Sequence, residues 1–375
     1  MGTAAGQPGH PGWQPIPDDQ HTLAQLLGQV GYRRLMIADT PPMMNASMNF
    51  TLGYSSYDWV RGSKGDRYRM VASASRASAT PYVLPKQRGT ADEVDVRQYL
   101  ANKQAMPREE DLASPRVFTE AVRRLDELRQ VQPFLLVVDT FEPHEPFLPP
   151  MKYVVPYSDG YRGIEPIRPT YGPADYLDEK QLARMKALYS GEVTFVDRWA
   201  GHLFDALAER GLDESTLVVV MSDHGVLLGD HGLTGKPFKG TYPGLTDIAL
   251  TVRHPRRRRG ERSDVNASTY DVTPTVLSAL DVEVDHPLDG GDLLARGGPV
   301  ADREIATAIY ADTLWVRNRH WLVVGHDYGR ANELYDLRAD PDLRRNLASR
   351  KGDVVKRLLD QARKAAGSPI PHYKV

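Results

Sequence analysis

The stretch from Thr216 to Lys239 constrains the fold most strongly, because an apolar, β-branched run in it leads directly into charged side chains. The run from Leu217 to Met221 has the length and composition of a strand that is buried on both faces of a sheet. Asp223 and His224 follow it almost at once. Because open α/β sheets bind ligands at the carboxyl ends of their strands, the pattern predicts that both side chains enter a binding crevice.

The side chains of Asp223 and His224 are of the types that divalent metals use as ligands. Carboxylate oxygen and imidazole nitrogen are common donors in metal-dependent hydrolytic sites. An ordinary strand-to-loop turn explains the same residues, because Asp and Gly are favoured in turns, and His224 would then be incidental. From these residues alone, both interpretations stay open.

A second apolar run, Phe134 to Asp139, also predicts a buried strand. His144 lies in the loop after it, between Pro143 and Pro146. Proline fixes the local backbone, so this loop can hold an imidazole at the carboxyl end of the strand. A rigid loop with a surface histidine accounts for the same sequence.

Helical spacing alternates with strand-like runs along most of the chain, which predicts an α/β fold. The predicted helices are Thr22 to Val30, Glu93 to Asn102, Val117 to Leu128, Leu177 to Arg210 (interrupted at Gly191 and Gly201) and Val272 to Leu280. Further strands are predicted over Arg34 to Ala38 and Asp247 to Val252. After about residue 300, three short strand-like runs, Glu304 to Tyr310, Trp321 to Val324 and Glu333 to Leu337, precede a helix over Val354 to Ala366. We therefore predict an α/β domain over residues 1–300 and a small C-terminal α+β subdomain over 301–375.

Composition excludes several classes of site. The net charge of −2 gives no reason to expect nucleic acid or an anionic membrane as a partner. The chain has no cysteine, which excludes disulfides, thiolate metal sites and a cysteine nucleophile. No apolar run is long enough to span a bilayer, and the first residues lack the apolar core of a signal peptide. A cytoplasmic location is the default expectation.

Several segments, in the same order along the chain, resemble segments of the sulfatase family, within the alkaline phosphatase-like superfamily. They are FLLVVDTFEPHEPF, YSGEVTFVDRWAGHLFDALAERG, SDHGVLLGDHGLTGKP, DVTPTVLSAL and ELYDLRADPDLRRNLA. Matching segments extend over most of the chain, from near residue 20 to near residue 350. The resemblance implies an α/β sandwich with a mostly parallel mixed sheet, together with a small C-terminal antiparallel sheet and helix.

The resemblance also implies metal-dependent hydrolysis of small-molecule sulfate esters. The expected divalent cation is calcium, with manganese and magnesium as alternatives. By this resemblance Asp223 and His224 are the second pair of metal ligands, Lys236 contacts sulfate oxygens, and His144 lies near the ester oxygen. The implied roles agree with the chemistry. Sulfate transfer spreads negative charge over the oxygens, which a cation and a lysine stabilise, and a histidine can protonate the leaving alkoxide.

Parts of the family pattern are not found in this sequence. Family members begin with an apolar strand ending in two adjacent aspartates, followed by Cys or Ser-x-Pro-x-Arg, which supplies the formylglycine nucleophile. The segment VASASRASAT copies only the tail of that motif, with Ala72 in the position of the nucleophile. Asp39-Thr40-Pro41 stands where the family has Lys-x-His. No nucleophile is therefore assigned.

These departures leave three interpretations open. The first is a truncated, sulfatase-like hydrolase that is inactive or weakly active alone, because losing a nucleophile costs on the order of a millionfold in turnover. The second is a phosphodiester or phosphonate monoester hydrolase of the same superfamily. The third is a non-catalytic remnant or subunit. A missing first strand would leave a hydrophobic sheet edge, so we expect a partner chain or self-association to fill it.

Overall fold

The computed structural model describes residues 13–71, 79–158, 160–238, 240–256, 260–310, 313–326 and 332–366. Its α-helices are α1 (Leu23–Gln29), α2 (Pro41–Met44), α3 (Ala91–Gln104), α4 (Ala113–Leu128), α5 (Met151–Val154), α6 (Glu179–Glu209), α7 (Pro243–Thr246), α8 (Val272–Ala279) and α9 (Gly352–Ala366). Its strands are β1 (Arg33–Ala38), β2 (Ser56–Trp59), β3 (Phe134–Asp139), β4 (Gly172–Pro173), β5 (Val218–Met221), β6 (Leu227–Leu228), β7 (Leu233–Gly235), β8 (Leu250–Arg253), β9 (Ala306–Tyr310), β10 (Thr313–Arg317), β11 (Trp321–His326) and β12 (Glu333–Asp336). The mixture of helices with parallel and antiparallel sheets confirms the predicted α/β class.

The chain divides into two compact units. The larger unit comprises Pro15–Thr216 and Val226–Gly235, and the smaller unit comprises Met1–Gln14, Leu217–Gly225 and Lys236–Val375. The domain boundary near residue 300 stays a prediction.

A parallel sheet with strand order β2-β1-β3 organises the larger unit. Its middle strand, β1, is fully buried from Leu35 to Ala38, as expected for a parallel strand that is covered on both faces. Ala38 lies opposite Asp139 in the ladder, so β1 and β3 end at the same level. The loops that follow these two strands therefore start side by side.

The helix α6 runs without a break for 31 residues. Asp178 and Gln181 form a capping box at its start, which explains why the sequence located this end closely. Gly191 does not interrupt the helix. A Cβ atom there would lie 2.9 Å from Cγ2 of Val154, so this glycine allows α5 to pack closely against α6. Within the described residues, no helix combines the length and apolar character needed to cross a bilayer.

The strand β5 differs from its prediction. Among the described strands it pairs only with β8, in an antiparallel two-stranded sheet. The side chains of Val220 and Met221 remain 46 % and 41 % exposed, so the expectation of burial on both faces is wrong. Strand β3 is likewise partly exposed along its whole length, because it is an edge strand among the described strands of its sheet. Apolar composition predicted both strands, whereas their burial depends on neighbours.

The smaller unit contains an antiparallel sheet with strand order β12-β11-β10-β9. Leu314, Val316 and Val323 from this sheet pack against Leu358 and Leu359 of α9. The helix presents an apolar stripe with i, i+4 spacing toward the sheet. This arrangement confirms the predicted C-terminal antiparallel sheet with a covering helix.

Candidate active site

A cavity of about 500 Å³ lies in the larger unit, formed in part by the loops that follow β1 and β3. His144 lines this cavity. The charged residues around it are Arg61, Lys64, Asp66, Arg67, Asp95, Glu145 and Arg168, and the apolar walls include Pro41, Trp59 and Phe141. Several of these charges pair with one another. Arg61, for example, donates two hydrogen bonds of 2.8 Å to the carboxylate of Asp66.

The imidazole of His144 is held in one orientation. Its ring stacks on Phe141, with 4.2 Å between the ring centroids and 24° between the planes. Nδ1 lies 2.7 Å from the backbone oxygen of Glu145, and Nε2 lies 3.6 Å from Oε1 of the same residue. The side chain keeps 23 % of its exposure, so the ring is reachable from solvent. His144 is therefore a fixed imidazole at the wall of a cavity, as a proton-transfer group requires.

Lys64 supports the loop that carries His144. It is almost completely buried, and its ammonium group donates to the backbone oxygen of His144 and to Oε1 of Glu192 on α6. Oε1 of Glu142 lies 3.9 Å from the same nitrogen. A single buried cation thus ties the histidine loop to the long helix. Lys64 lies in an irregular segment, and Glu192 is 128 residues away, so no local pattern indicates this contact.

Two buried carboxyl groups, those of Asp39 and Glu142, lie close to the loop that carries His144. Burial raises the pKa of Asp39 well above its usual range, with a further increase from the charge of Glu142. Burial also raises the pKa of Glu142 to about 7; the charge of Lys64 lowers this pKa, and that of Glu192 raises it. The backbone N–H of Phe141 donates a 2.6 Å hydrogen bond to Oδ1 of Asp39. Asp39 occupies the position where the resemblance would place a lysine, and here it supports the loop after β3.

Asp223 and His224 come together directly after β5, in the smaller unit. Nε2 of His224 lies 3.5 Å from Oδ2 of Asp223, and both side chains are exposed. The backbone approaches closely at the next residue. A Cβ atom on Gly225 would lie 2.2 Å from the backbone oxygen of Gly244, so only glycine fits there.

These two side chains do not complete a metal site by themselves. They have the right donor types, but the described part of the chain contains no group of three or more His, Cys, Asp or Glu side chains that could hold a metal ion. Two protein ligands fall short of the three or four that zinc takes and of the six to eight oxygens that surround calcium. Asp223 and His224 therefore fit part of a cation site.

Lys236 follows β7 and begins the last segment of the smaller unit. Its backbone oxygen accepts a 3.2 Å hydrogen bond from the hydroxyl of Tyr310 on β9. Thr313 on β10 donates a 2.8 Å hydrogen bond to the backbone oxygen of Phe238. The C-terminal sheet therefore fixes the backbone that carries the lysine. The segment VASASRASAT cannot be described in the same way, because residues 72–78 lie outside the described part of the chain.

A sequence model of the family described as Sulfatase matches residues 3–282. The chain belongs to the sulfatase family. Members of this family and its alkaline phosphatase-like superfamily generally use a divalent metal.

Two relatives and one solved structure agree with the family assignment and the fold. The chain is 29 % identical to an uncharacterized sulfatase, YidJ, of Escherichia coli over 62 % of this chain and 50 % of that protein. It is 28 % identical to the multifunctional alkaline phosphatase superfamily protein PehA of Trinickia caryophylli, over 48 % of this chain and 41 % of that protein. The matches thus span about half the length of these relatives or less. The phosphonate monoester hydrolase of Agrobacterium radiobacter superimposes with a TM-score of 0.67 at 21 % identity, covering 94 % of this chain and 81 % of that structure. This superposition confirms the alkaline phosphatase-like fold.

Proposed function

We propose that this sulfatase family member carries part of a site for hydrolysis of small-molecule sulfate esters. The observation that carries the proposal is the family match together with a fixed imidazole, His144, at the wall of a cavity. His144 would donate a proton to the leaving oxygen, and Lys236 would offset the charge on the sulfate oxygens. Asp223 and His224 would be two ligands of a divalent cation, with calcium preferred over manganese or magnesium.

The nucleophile is not among the residues that we assign. Cys or Ser-x-Pro-x-Arg does not occur in the sequence. Because removal of a catalytic nucleophile costs on the order of a millionfold in turnover, we infer that the chain alone is inactive or weakly active. A polypeptide that supplies an apolar strand, two aspartates and the nucleophile motif would complete the site.

An aryl sulfate assay tests this proposal. The purified chain should show almost no turnover, and co-expression with a segment that carries the nucleophile motif should raise the rate by several orders of magnitude. His144→Asn should abolish that gain, whereas His202→Asn, on the exposed face of α6, should leave it unchanged. Turnover by the chain alone at ordinary enzyme rates would disprove the inferred inactivity. Equal loss in both histidine variants would disprove the role of His144.

The similarity to PehA favours a second candidate, a phosphodiester or phosphonate monoester hydrolase. The same histidine, lysine and cation ligands serve either chemistry, because both reactions develop charge on equatorial oxygens. Rates of the completed enzyme on a sulfate monoester and on a phosphate diester, measured side by side, separate the two candidates.

The sheet edges favour a third candidate, a non-catalytic remnant or a subunit with a partner chain. Both β3 and β5 have apolar sequences and lie at sheet edges among the described strands. Unpaired apolar edges bind further strands, either from a partner or from another copy of the chain. Absence of turnover even after the nucleophile segment is supplied would support this candidate.

A further inference from the structure

We propose that Glu145 is a positioning residue that keeps a proton on Nε2 of His144. This inference rests on the proposed function, because it explains how His144 would enter the reaction as a proton donor. It concerns a residue that the family resemblance did not single out.

The two ring nitrogens of His144 each face an acceptor. Nδ1 lies 2.7 Å from the backbone oxygen of Glu145, and a carbonyl oxygen can only accept, so Nδ1 carries a hydrogen. A neutral ring would then place the lone pair of Nε2 toward the carboxylate of Glu145, 3.6 Å away. Only the doubly protonated ring directs hydrogen toward both oxygens. The stacked face of Phe141 adds a further attraction for a cationic ring.

The carboxylate of Glu145 is fixed by its neighbours. It keeps only 2 % of its exposure, and Arg168 donates a 2.6 Å hydrogen bond to Oε1. The hydroxyl of Tyr171 donates to the same oxygen. Arg168 is fixed in turn by Asp95, at 2.9 Å. These contacts hold the carboxylate in position beside the imidazole, so it cannot rotate away when the ring changes charge.

Of the other charges around His144, some favour the protonated imidazole ring and others oppose it. Lys64 donates to its backbone oxygen, and Arg61, Arg67 and Arg168 line the same cavity, which disfavours a cationic ring. Asp66 and Asp95 line the cavity as well, and Glu142 lies two residues before the histidine. Arg61 is paired with Asp66, and Arg168 with Glu145 and Asp95. Glu145 is thus the carboxylate whose oxygen lies 3.6 Å from Nε2 of His144. Among these charges, its removal should have the largest effect on the proton affinity of the His144 ring.

Nuclear magnetic resonance of the ring nitrogens tests the inference without any assay of hydrolysis. The experiment uses the full chain with ¹⁵N-labelled histidine and measures the titration midpoint of His144, the pH at which half of its rings are protonated. This midpoint should be higher in the folded protein than in the same protein unfolded in urea. Above that midpoint, Nδ1 should keep its proton and Nε2 should lose it. Glu145→Gln should lower the midpoint by about one pH unit, a tenfold loss in proton affinity. Glu145→Asp should restore part of this loss.

The matched control is Asp95→Asn, which also removes a carboxylate from Arg168 but leaves Glu145 in place. It should change the midpoint much less than Glu145→Gln does. The inference fails if Glu145→Gln and the parent titrate alike, or if Nε2 instead of Nδ1 keeps the proton in the neutral parent ring. The second result needs no variant, so the test holds even if Glu145→Gln does not fold. Failure here leaves sulfate ester hydrolysis untouched, because that activity is measured separately.

Discussion

Lys64 and Glu192 form an ion pair in which the side chains keep only 2 % and 1 % of their exposure. The pair joins the segment after β2 to the middle of α6, and the same lysine holds the backbone oxygen of His144. Buried pairs of this kind contribute little net stability as a pair, but they are costly to break on one side.

Lys64→Met should destabilise the protein by about 3–5 kcal/mol, because it leaves the carboxylate of Glu192 buried without its cation. Chemical denaturation measures this loss. The double variant Lys64→Met/Glu192→Met should recover a large part of it. The exposed pair Lys86–Asp175 is the control, and Lys86→Met should cost less than about 1 kcal/mol. Similar losses for the two single variants would show that burial of the pair has no energetic consequence.

Glu142 should make the protein less stable as pH rises through neutrality. Its pKa is about 7 in the folded chain against an ordinary 4.5, so the folded state holds a proton that the unfolded state has lost. Stability from this group should therefore be highest below about pH 4.5 and fall as pH rises from there through 7, by about 3 kcal/mol in total. Asp39 adds to the slope in the same direction, because its pKa is also raised.

Glu142→Gln should flatten this pH dependence. The variant should match the parent in denaturant midpoint near pH 5 and exceed it at pH 8. Glu214→Gln, in an exposed position, should follow the parent at both values. A parent protein whose stability rises between pH 5 and 8, with Glu142→Gln unchanged from it, would contradict the assignment.

The exposed edge of β5 should promote self-association of the isolated chain. Val220 is 46 % exposed on a strand with one described partner. Val220→Lys should shift sedimentation profiles toward the monomer, because a charge on an edge strand opposes strand addition. Val193→Lys is a matched control, since Val193 is 42 % exposed but lies on α6. A parent chain that sediments as a monomer and unfolds cooperatively at high temperature would refute this expectation.

Thr313 should stabilise the segment that carries Lys236. Its side chain is fully buried and donates a hydrogen bond to Phe238, so Thr313→Val would leave a carbonyl oxygen without its partner. We expect a loss of about 1–2 kcal/mol and faster amide hydrogen exchange around residues 236–238. Thr307→Val, on the neighbouring strand β9, should change neither quantity. Unchanged exchange in Thr313→Val would show that the C-terminal sheet does not fix this segment.

The sequence predicts helices and strands well where their ends are marked by nearby residues, such as capping side chains and terminal glycines. The helix α6 begins within two residues of its prediction, because Asp178 and Gln181 form a capping box and Gly211 follows the end. Strand β10 was missed. Its residues, Thr313–Arg317, form a short run beside two other strands, and tertiary pairing with β9 and β11 defines it.

The candidate site was predictable only in part. His144 and Asp223 follow apolar strands, a position that local sequence can indicate. Lys64 and Arg168 have no such signal, because their contacts join distant parts of the sequence; Arg168, which fixes Glu145, lies 23 positions after it. Burial of β5 was overestimated for a related reason, since an apolar composition cannot show whether a neighbouring strand is present.

The larger unit is not a continuous segment, and this affects the order in which it can fold. Strand β4 pairs with β7, where Gly172 lies opposite Thr234. A ribosome must therefore pass Gly235 before β4 meets this partner, and by then it has already made Leu217–Gly225 of the smaller unit. Folding of the larger unit therefore cannot be completed during synthesis until the ribosome has made Leu217–Gly225 of the smaller unit and then Val226–Gly235 of the larger unit. A fragment that ends at Thr216 would keep β4 but lack the strand that pairs with it.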